Sequence, residues 1–401
     1  MRISVHDAIS IIQREVKPLL SKEFSLYDAV GHVLDEAIIA NHAQPPFNRS
    51  PYDGYALRAE DSLGASEGCP KKLKIIGKSF AGQPANLTLS SGQAVRIMTG
   101  GEIPEGADCV IMQEKTTSNG DELFVFEALK AYDNFIFKGE DYDQGDVLLK
   151  KGHVITPAVA SVIASVGKSK IKAVAQPKVG VLATGSELQQ AETPLEPGQI
   201  YNSNSRYIGA RLKQLGLDFT DYGQVSDHKE SIKDSLRKAA KEVDFLITTG
   251  GVSVGEADYL PEICDELAAT TYFHGVDMKP GMPVLLSKFE NMWILACSGN
   301  PFAAVVNFEL LGREILAKLS KNERFKMKET TAVLKNGYPK GRPVPRYVKV
   351  HLENGDALAT KDQGNGQIRT LVETNALAYL PHGKAPMAPG TEVKCFIIEG
   401  E

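Results

Sequence analysis

Near the start of the chain Ile9, Ile12 and Val16 recur at helical spacing, which puts them on one face of an amphipathic helix. Ser4 and Asp7 form a capping pair at its beginning. A short second helical segment is expected around "SLYDAVGHVLDEAI". At "QPPFNRSPYDGYALR" the prolines break helix and turn residues multiply. The runs "KLKIIGKSF", "AVRIMTG", "DCVIMQE" and "ELFVFEAL" follow, short and strand-like, separated by Gly, Asp, Asn and Ser. Residues 45–140 are therefore predicted as an all-β module. In "ITPAVASVIASVGKSKIKA" Thr156 suits a helix cap, Pro157 the first helical position and Gly167 the stop. The β module thus reads as an insertion into a helical and extended linking domain made of residues 1–44 and 141–177.

From 178 to 325 the rhythm becomes strand, glycine loop, helix. "KVGVLATG", "DFLITTGG" and "MWILACSGN" are continuous apolar runs; "SRYIGARLKQLG" and "PFAAVVNFELLGREILAKL" are helical. Apolar strands alternating with helices predict a parallel-rich sheet covered on both faces, a three-layer α/β domain. "SKNERFKMKE" reads as a charged linker. Beyond it, within residues 326–401, "PRYVKVHL", "ALAYLP" and "EVKCFIIEG" predict a small β-barrel-like domain. The fold class is multidomain α/β and β.

The chain has 401 residues, 42% apolar and 24% charged, with a formal net charge of −5. That size exceeds one core, and the charge points to neither nucleic acid nor an anionic membrane. Five cysteines stand apart, with no C-x-x-C pair, which predicts reduced thiols in the cytoplasm and no thiolate zinc site. The segment "MRISVHDAISIIQREV" lacks the unbroken apolar run of a signal peptide. No apolar run approaches the roughly 18 residues of a membrane span.

In open parallel sheets ligands gather at the carboxyl ends of the strands. Three glycine-marked loops fall there: "ATGSEL", "TTGGVSVGEAD" and "CSGNPFAA". One such loop is as readily a plain strand-to-helix turn; three at one edge favour a phosphate or oxyanion site. The second loop is not a dinucleotide fingerprint, because Val252 stands at its second glycine position. Nor is it a Walker loop: Gly250 and Gly255 have the spacing, but Glu256 and Ala257 replace Lys and Ser/Thr. A carboxylate there would repel phosphate unless a divalent cation lay between them. Glu187, Asp227 and Asp258 are the candidate acidic ligands, although each singly suits the first turn of a helix. Lys279, before a Pro-Gly turn, could aim an ammonium group or simply be solvated. Asp53-Gly54 on its own is a turn signal. The eight histidines form no H-x-x-x-H pair, and no G-x-S-x-G elbow is present.

"SPYDGYALR", "RIMTGGEIPEGADCVIMQE", "FKGEDYDQGDVLLKKGHVITPA", "GQIYNSNS", "TTGGVSVGEADY", "MKPGMPV" and "SGNPFAAVVNFE" occur in the order found in the molybdopterin molybdenumtransferases. The chain resembles these MoeA-type enzymes, and the E domain of gephyrin, over residues from about 5 to 400. The resemblance implies a central molybdopterin-binding domain and an elongated cytoplasmic homodimer, with the active cleft between the α/β domain of one subunit and the β domains of the other. It implies insertion of molybdate into adenylylated molybdopterin with release of AMP, dependent on Mg²⁺, and a molybdopterin adenylyltransferase as a possible supplier of substrate.

Position by position, the resemblance gives Gly250, Gly251, Ser253 and Gly255 as the pyrophosphate-facing loop, with Gly185, Ser186, Asn300 and Pro301 in the flanking loops. It gives Glu187, Asp227 and Asp258 as the acidic set for Mg²⁺ and the adenylyl phosphate, and Lys279 and Arg342 as oxyanion binders. Asp53 and Thr99 match functional positions of the inserted domain that act across the dimer; Asp53 then serves as turn and site residue together. The chain departs from the family pattern at Met282 (often Lys), at Ser298 and Phe302 in the third loop, and in "QGNGQIRT", where Asn365, Arg369 and Thr370 replace a serine-containing stretch. Such departures keep open one rival reading, a scaffolding dimer without catalysis; a second, a nucleotide-processing enzyme of related fold, has the complete β insertion and C-terminal β domain against it.

Overall fold

A computed structural model describes residues 2–252, 259–341, 343–383 and 385–398. The chain divides into two compact units: Met1–Asp35 with Val154–Thr156 and Lys170–Glu401, and Glu36–His153 with Pro157–Ser169.

The first unit is organised by a six-stranded sheet. Its order is Phe219–Val225, Val179–Thr184, Phe245–Thr249, Met292–Cys297, Leu285–Phe289 and Thr270–His274. The first four strands are parallel, and Leu285–Phe289 pairs antiparallel with the strand on either side of it. Every position of Val179–Thr184, Phe245–Thr249 and Met292–Cys297 is buried, as expected of strands covered on both faces. Alternate residues serve two cores. Val181, Ile247 and Leu295 pack with Ile12, Ile208 and Val305, whereas Leu182, Leu246 and Ile294 pack with Leu236 and Ile263. The predicted three layers are present. The antiparallel additions at one end, Leu285–Phe289 and the edge strand Thr270–His274, go beyond the strands that the sequence predicts.

The helix Val5–Glu15 starts as its sequence indicates, with the Ser4 hydroxyl accepting from Asp7 N at 3.0 Å. The second helical segment does not form. Residues 26–32 are turns, and Val33–Leu34 pairs with Lys170–Val174, which also pairs with Ser21–Ser25. Val33 and Leu34 are buried by that pairing, so tertiary contact overrides a modest helical preference. "SKNERFKMKE" is likewise no loose linker: Phe325 is buried and its carbonyl accepts from Arg313 Nε at 2.5 Å.

The C-terminal strands close into a five-stranded barrel. Lys328–Leu334 completes it by pairing with both Thr391–Ile397 and Asp356–Ala359.

In the second unit a six-stranded mixed sheet runs in the order Cys109–Met112, Gly54–Leu57, Gln93–Ile97, Lys71–Ser79, Glu122–Val125 and Thr116–Asn119. It carries the four predicted strand runs. The predicted helix spans Pro157–Ser165. Among the described residues no helix is long and apolar enough to cross a membrane, and all five cysteines are free, four of them buried.

Candidate functional site

The three glycine loops converge at the carboxyl ends of Val179–Thr184, Phe245–Thr249 and Met292–Cys297. Between them lies a cavity of about 420 Å³ lined by Thr184, Gly185, Glu187, Ile200, Asp227, Gly250, Gly251, Val252, Pro283, Ser298, Gly299, Asn300 and Pro301. Backbone contact locks the loops together. Gly250 N donates to Cys297 O at 3.1 Å, and Gly185 N to Val225 O at 3.1 Å. Gly250 has φ +94°, and a Cβ there would lie 2.2 Å from Thr184 O. Only glycine permits so close an approach in that conformation. On the other side, a Cβ on Gly299 would meet Gly250 Cα at 3.6 Å. The third loop is held further by Asn204 Nδ2, which donates to Gly299 O at 2.7 Å. Pro301 opens the helix Pro301–Asn307.

Two of the three expected acidic ligands line this cavity. Glu187 folds back over Gly185, its Oε2 only 2.6 Å from where a Cβ at 185 would sit. Asp227 and Ser186 grip each other reciprocally. Ser186 N donates to Asp227 Oδ2 at 2.9 Å and Asp227 N to Ser186 Oγ at 3.0 Å. This fixes Asp227 on the loop beside the cavity. Among the described residues no three of His, Cys, Asp or Glu are arranged to hold a metal. Two carboxylates beside one cavity are nonetheless the donor set from which Mg²⁺ is bound when phosphate oxygens and water complete its shell. Asp258, Ser253, Gly255 and Arg342 lie outside the described residues.

Lys279 is exposed and does not line the cavity; Pro283, from the same turn, does. That turn is knitted to the barrel: Lys279 N donates to Pro345 O at 2.9 Å, and Tyr347 N to Lys279 O at 2.8 Å. Asp53 and Thr99 meet in the second unit. Asp53 Oδ1 accepts from Thr99 N at 2.8 Å and from its hydroxyl at 2.9 Å, and these bonds hold the carboxyl below its ordinary range. Gly54 begins a strand there, so Asp53 occupies a bend and not a hairpin turn.

The departures in sequence have local partners. Arg2 Nη1 donates to Met282 Sδ at 2.7 Å. Ser298 Oγ accepts from Asn300 N at 3.3 Å. Phe302 N donates to Asn365 O at 2.9 Å, bringing the barrel's altered loop onto the start of the Pro301–Asn307 helix. Lys349, fully buried, donates to Gly364 O, Gln367 O and Thr370 Oγ1 at 3.4, 3.2 and 2.6 Å. The sequence reading overlooked Thr184, Asn204 and Asn307. All three sit inside the quoted motifs, but nothing in their spacing distinguishes a carbonyl against glycine or an amide that braces a neighbouring loop.

Comparison with known proteins places this geometry. Residues 3–167 match the MoeA N-terminal region (domain I and II), residues 180–318 a probable molybdopterin binding domain, and residues 331–397 the MoeA C-terminal region (domain IV). A molybdopterin molybdenumtransferase of Bacillus subtilis is 38% identical over 407 residues, covering 100% of this chain and 95% of that protein. One from Staphylococcus epidermidis is 35% identical over 401 residues, covering 99% and 96%. The crystal structure of a molybdopterin biosynthesis MoeA protein from Pyrococcus horikoshii superposes with a TM-score of 0.84 at 28% identity, covering 100% of both chains. The chain belongs to the MoeA family of molybdopterin molybdenumtransferases, enzymes of molybdenum cofactor biosynthesis.

Proposed function

We propose that the protein inserts molybdate into adenylylated molybdopterin with release of AMP, in a Mg²⁺-dependent reaction, as a cytoplasmic homodimer supplied by a molybdopterin adenylyltransferase. The observation that carries the reading is the single cavity in which Gly185, Glu187, Asp227, Gly250, Gly251, Asn300 and Pro301 meet.

The substrate carries a pyrophosphate that joins the pterin to adenosine, and the incoming molybdate is itself an anion. Loops that end buried strands let backbone approach such a group closely. Glu187 and Asp227, with Asp258 from the same loop set, would hold Mg²⁺ against the adenylyl phosphate. The bound cation would neutralise phosphate charge as the anhydride breaks. Asp227, fixed by Ser186, keeps its position without reorganisation, which is what charge stabilisation requires. Lys279 sits on a turn braced by the barrel and would bring a compact positive charge to molybdate. The resemblance supports Asp53 and Thr99 acting on the partner's substrate, with Arg342 as a second oxyanion contact.

Purified protein incubated with adenylylated molybdopterin, molybdate and Mg²⁺ should release AMP stoichiometrically. Substrate binding without AMP would favour a scaffold. AMP release from other adenylylated compounds, indifferent to molybdate, would favour a general nucleotide-processing enzyme.

A further inference from the structure

The helix that starts at the site, Pro301–Asn307, is buried and apolar from Phe302 to Val306, then ends on a buried amide. Both ends of that amide are used. Asn307 Nδ2 donates to Gly281 O at 2.7 Å, and its Oδ1 accepts from Ser298 N at 3.1 Å. Gly281 lies two residues after Lys279, and Ser298 two residues before Asn300. One side chain therefore ties the lysine-bearing turn to the third loop of the cavity.

The contact is tight from the turn's side. Gly281 has φ +94°, and a Cβ there would lie 2.5 Å from Asn307 Nδ2 and 3.2 Å from Ala303 O. It is also rigid from behind. The next residues, Phe308–Gly312, form a π turn. Its Glu309 is clamped between Arg211 Nε at 2.9 Å and Arg313 Nη1 at 2.8 Å, all three buried. Asn307 is thus aimed at Gly281 and Ser298 from a helix whose following turn is anchored by that buried ion-pair clamp.

We infer that Asn307 is a positioning residue, its amide setting where the Lys279 turn stands relative to the Asn300 loop. This rests on the reading that Lys279 binds molybdate. Moving a charged group away from an anion that it holds equally in ground and transition states weakens binding and leaves the chemical step alone, so the effect falls on KM.

Asn307→Asp discriminates between positioning and simple filling. It keeps the size and the acceptor for Ser298 N, but sets an oxygen against Gly281 O, so the lysine turn is pushed away while the third loop stays held. Molybdate-dependent AMP release should show a KM for molybdate raised on the order of tenfold, with kcat within about twofold. In a Lys279→Ala background the same substitution should add little, because the group being positioned is gone. Gly281→Ala presses on the contact from the turn and should reproduce the KM shift if Asn307→Asp does not yield folded protein. If Lys279→Ala raises the molybdate KM but Asn307→Asp and Gly281→Ala lower only thermal stability, the inference is wrong and the role of Lys279 stands. If Lys279→Ala itself leaves the molybdate KM unchanged, the reading beneath the inference has failed instead.

Discussion

Replacing Gly250 by alanine adds one methyl group where the cavity's loops touch. The new Cβ would stand 2.2 Å from the Thr184 carbonyl oxygen, well inside the 3.0 Å that such contacts essentially never breach, and on a backbone with φ +94°. The left-handed conformation costs about 1–2 kcal/mol for an L-residue, and relieving the overlap adds about 1–3 kcal/mol. The loop must retreat from Thr184 by roughly 1 Å, a displacement able to cost about a hundredfold in rate. Gly299→Ala is the internal control for stability: its Cβ would meet only Gly250 Cα, at an ordinary 3.6 Å. AMP release and calorimetric unfolding of both variants measure the outcome. Gly250→Ala should lose at least about tenfold in kcat/KM and unfold earlier, while Gly299→Ala should stay within about 0.5 kcal/mol of the parent. Parent-like kcat/KM and unfolding temperature in Gly250→Ala would refute the claim that the cavity depends on backbone packing between Thr184 and Gly250.

Asp227→Asn keeps an acceptor for Ser186 N but removes the charge, so the Mg²⁺ concentration giving half-maximal AMP release should rise about tenfold; an unchanged titration curve would remove Asp227 from the cation site. Asp258→Ala should abolish AMP release while the far-ultraviolet circular dichroism stays that of the parent. The Asp53 carboxyl is held below its ordinary 3.8 by the Thr99 N–H and hydroxyl. That lock is complete above the unfolded value and is lost as pH falls through the folded one; Thr99→Val should move the Asp53 titration upward, read by carboxyl-carbon NMR. Glu309→Ala strands Arg211 and Arg313 as buried cations, since the Glu309 side chain is 0% exposed, and should destabilise the protein by about 3–5 kcal/mol in denaturant titration.

The strands were legible where both faces are buried, because continuous apolar runs such as "VGVLAT" leave no alternative of similar length. The edge strands were not: Thr270–His274 has exposed, half-buried and buried positions together, and its place depends on a partner that sequence does not name. The 26–38 segment reads as helix locally, yet Val33–Leu34 pairs with a strand more than 130 residues later. Barrel closure is equally non-local, joining Lys328–Leu334 to Thr391–Ile397. At the site, glycine spacing marked all three loops and Glu187 beside Gly185, whereas Asp227 was reached only as an acidic residue that the family resemblance supported. What it could not mark was bracing. Asn307 looks like one polar residue in "PFAAVVNFE", and only its two hydrogen bonds separate it from any other buried asparagine.

The most direct test of the account is a crystal structure of the protein with adenylylated molybdopterin bound in a non-reacting state. The pyrophosphate should lie among Gly185, Gly250 and Asn300, with Glu187 and Asp227 facing it across a cation. A pyrophosphate seated away from that edge of the central sheet, with Glu187 and Asp227 turned to solvent, would contradict it.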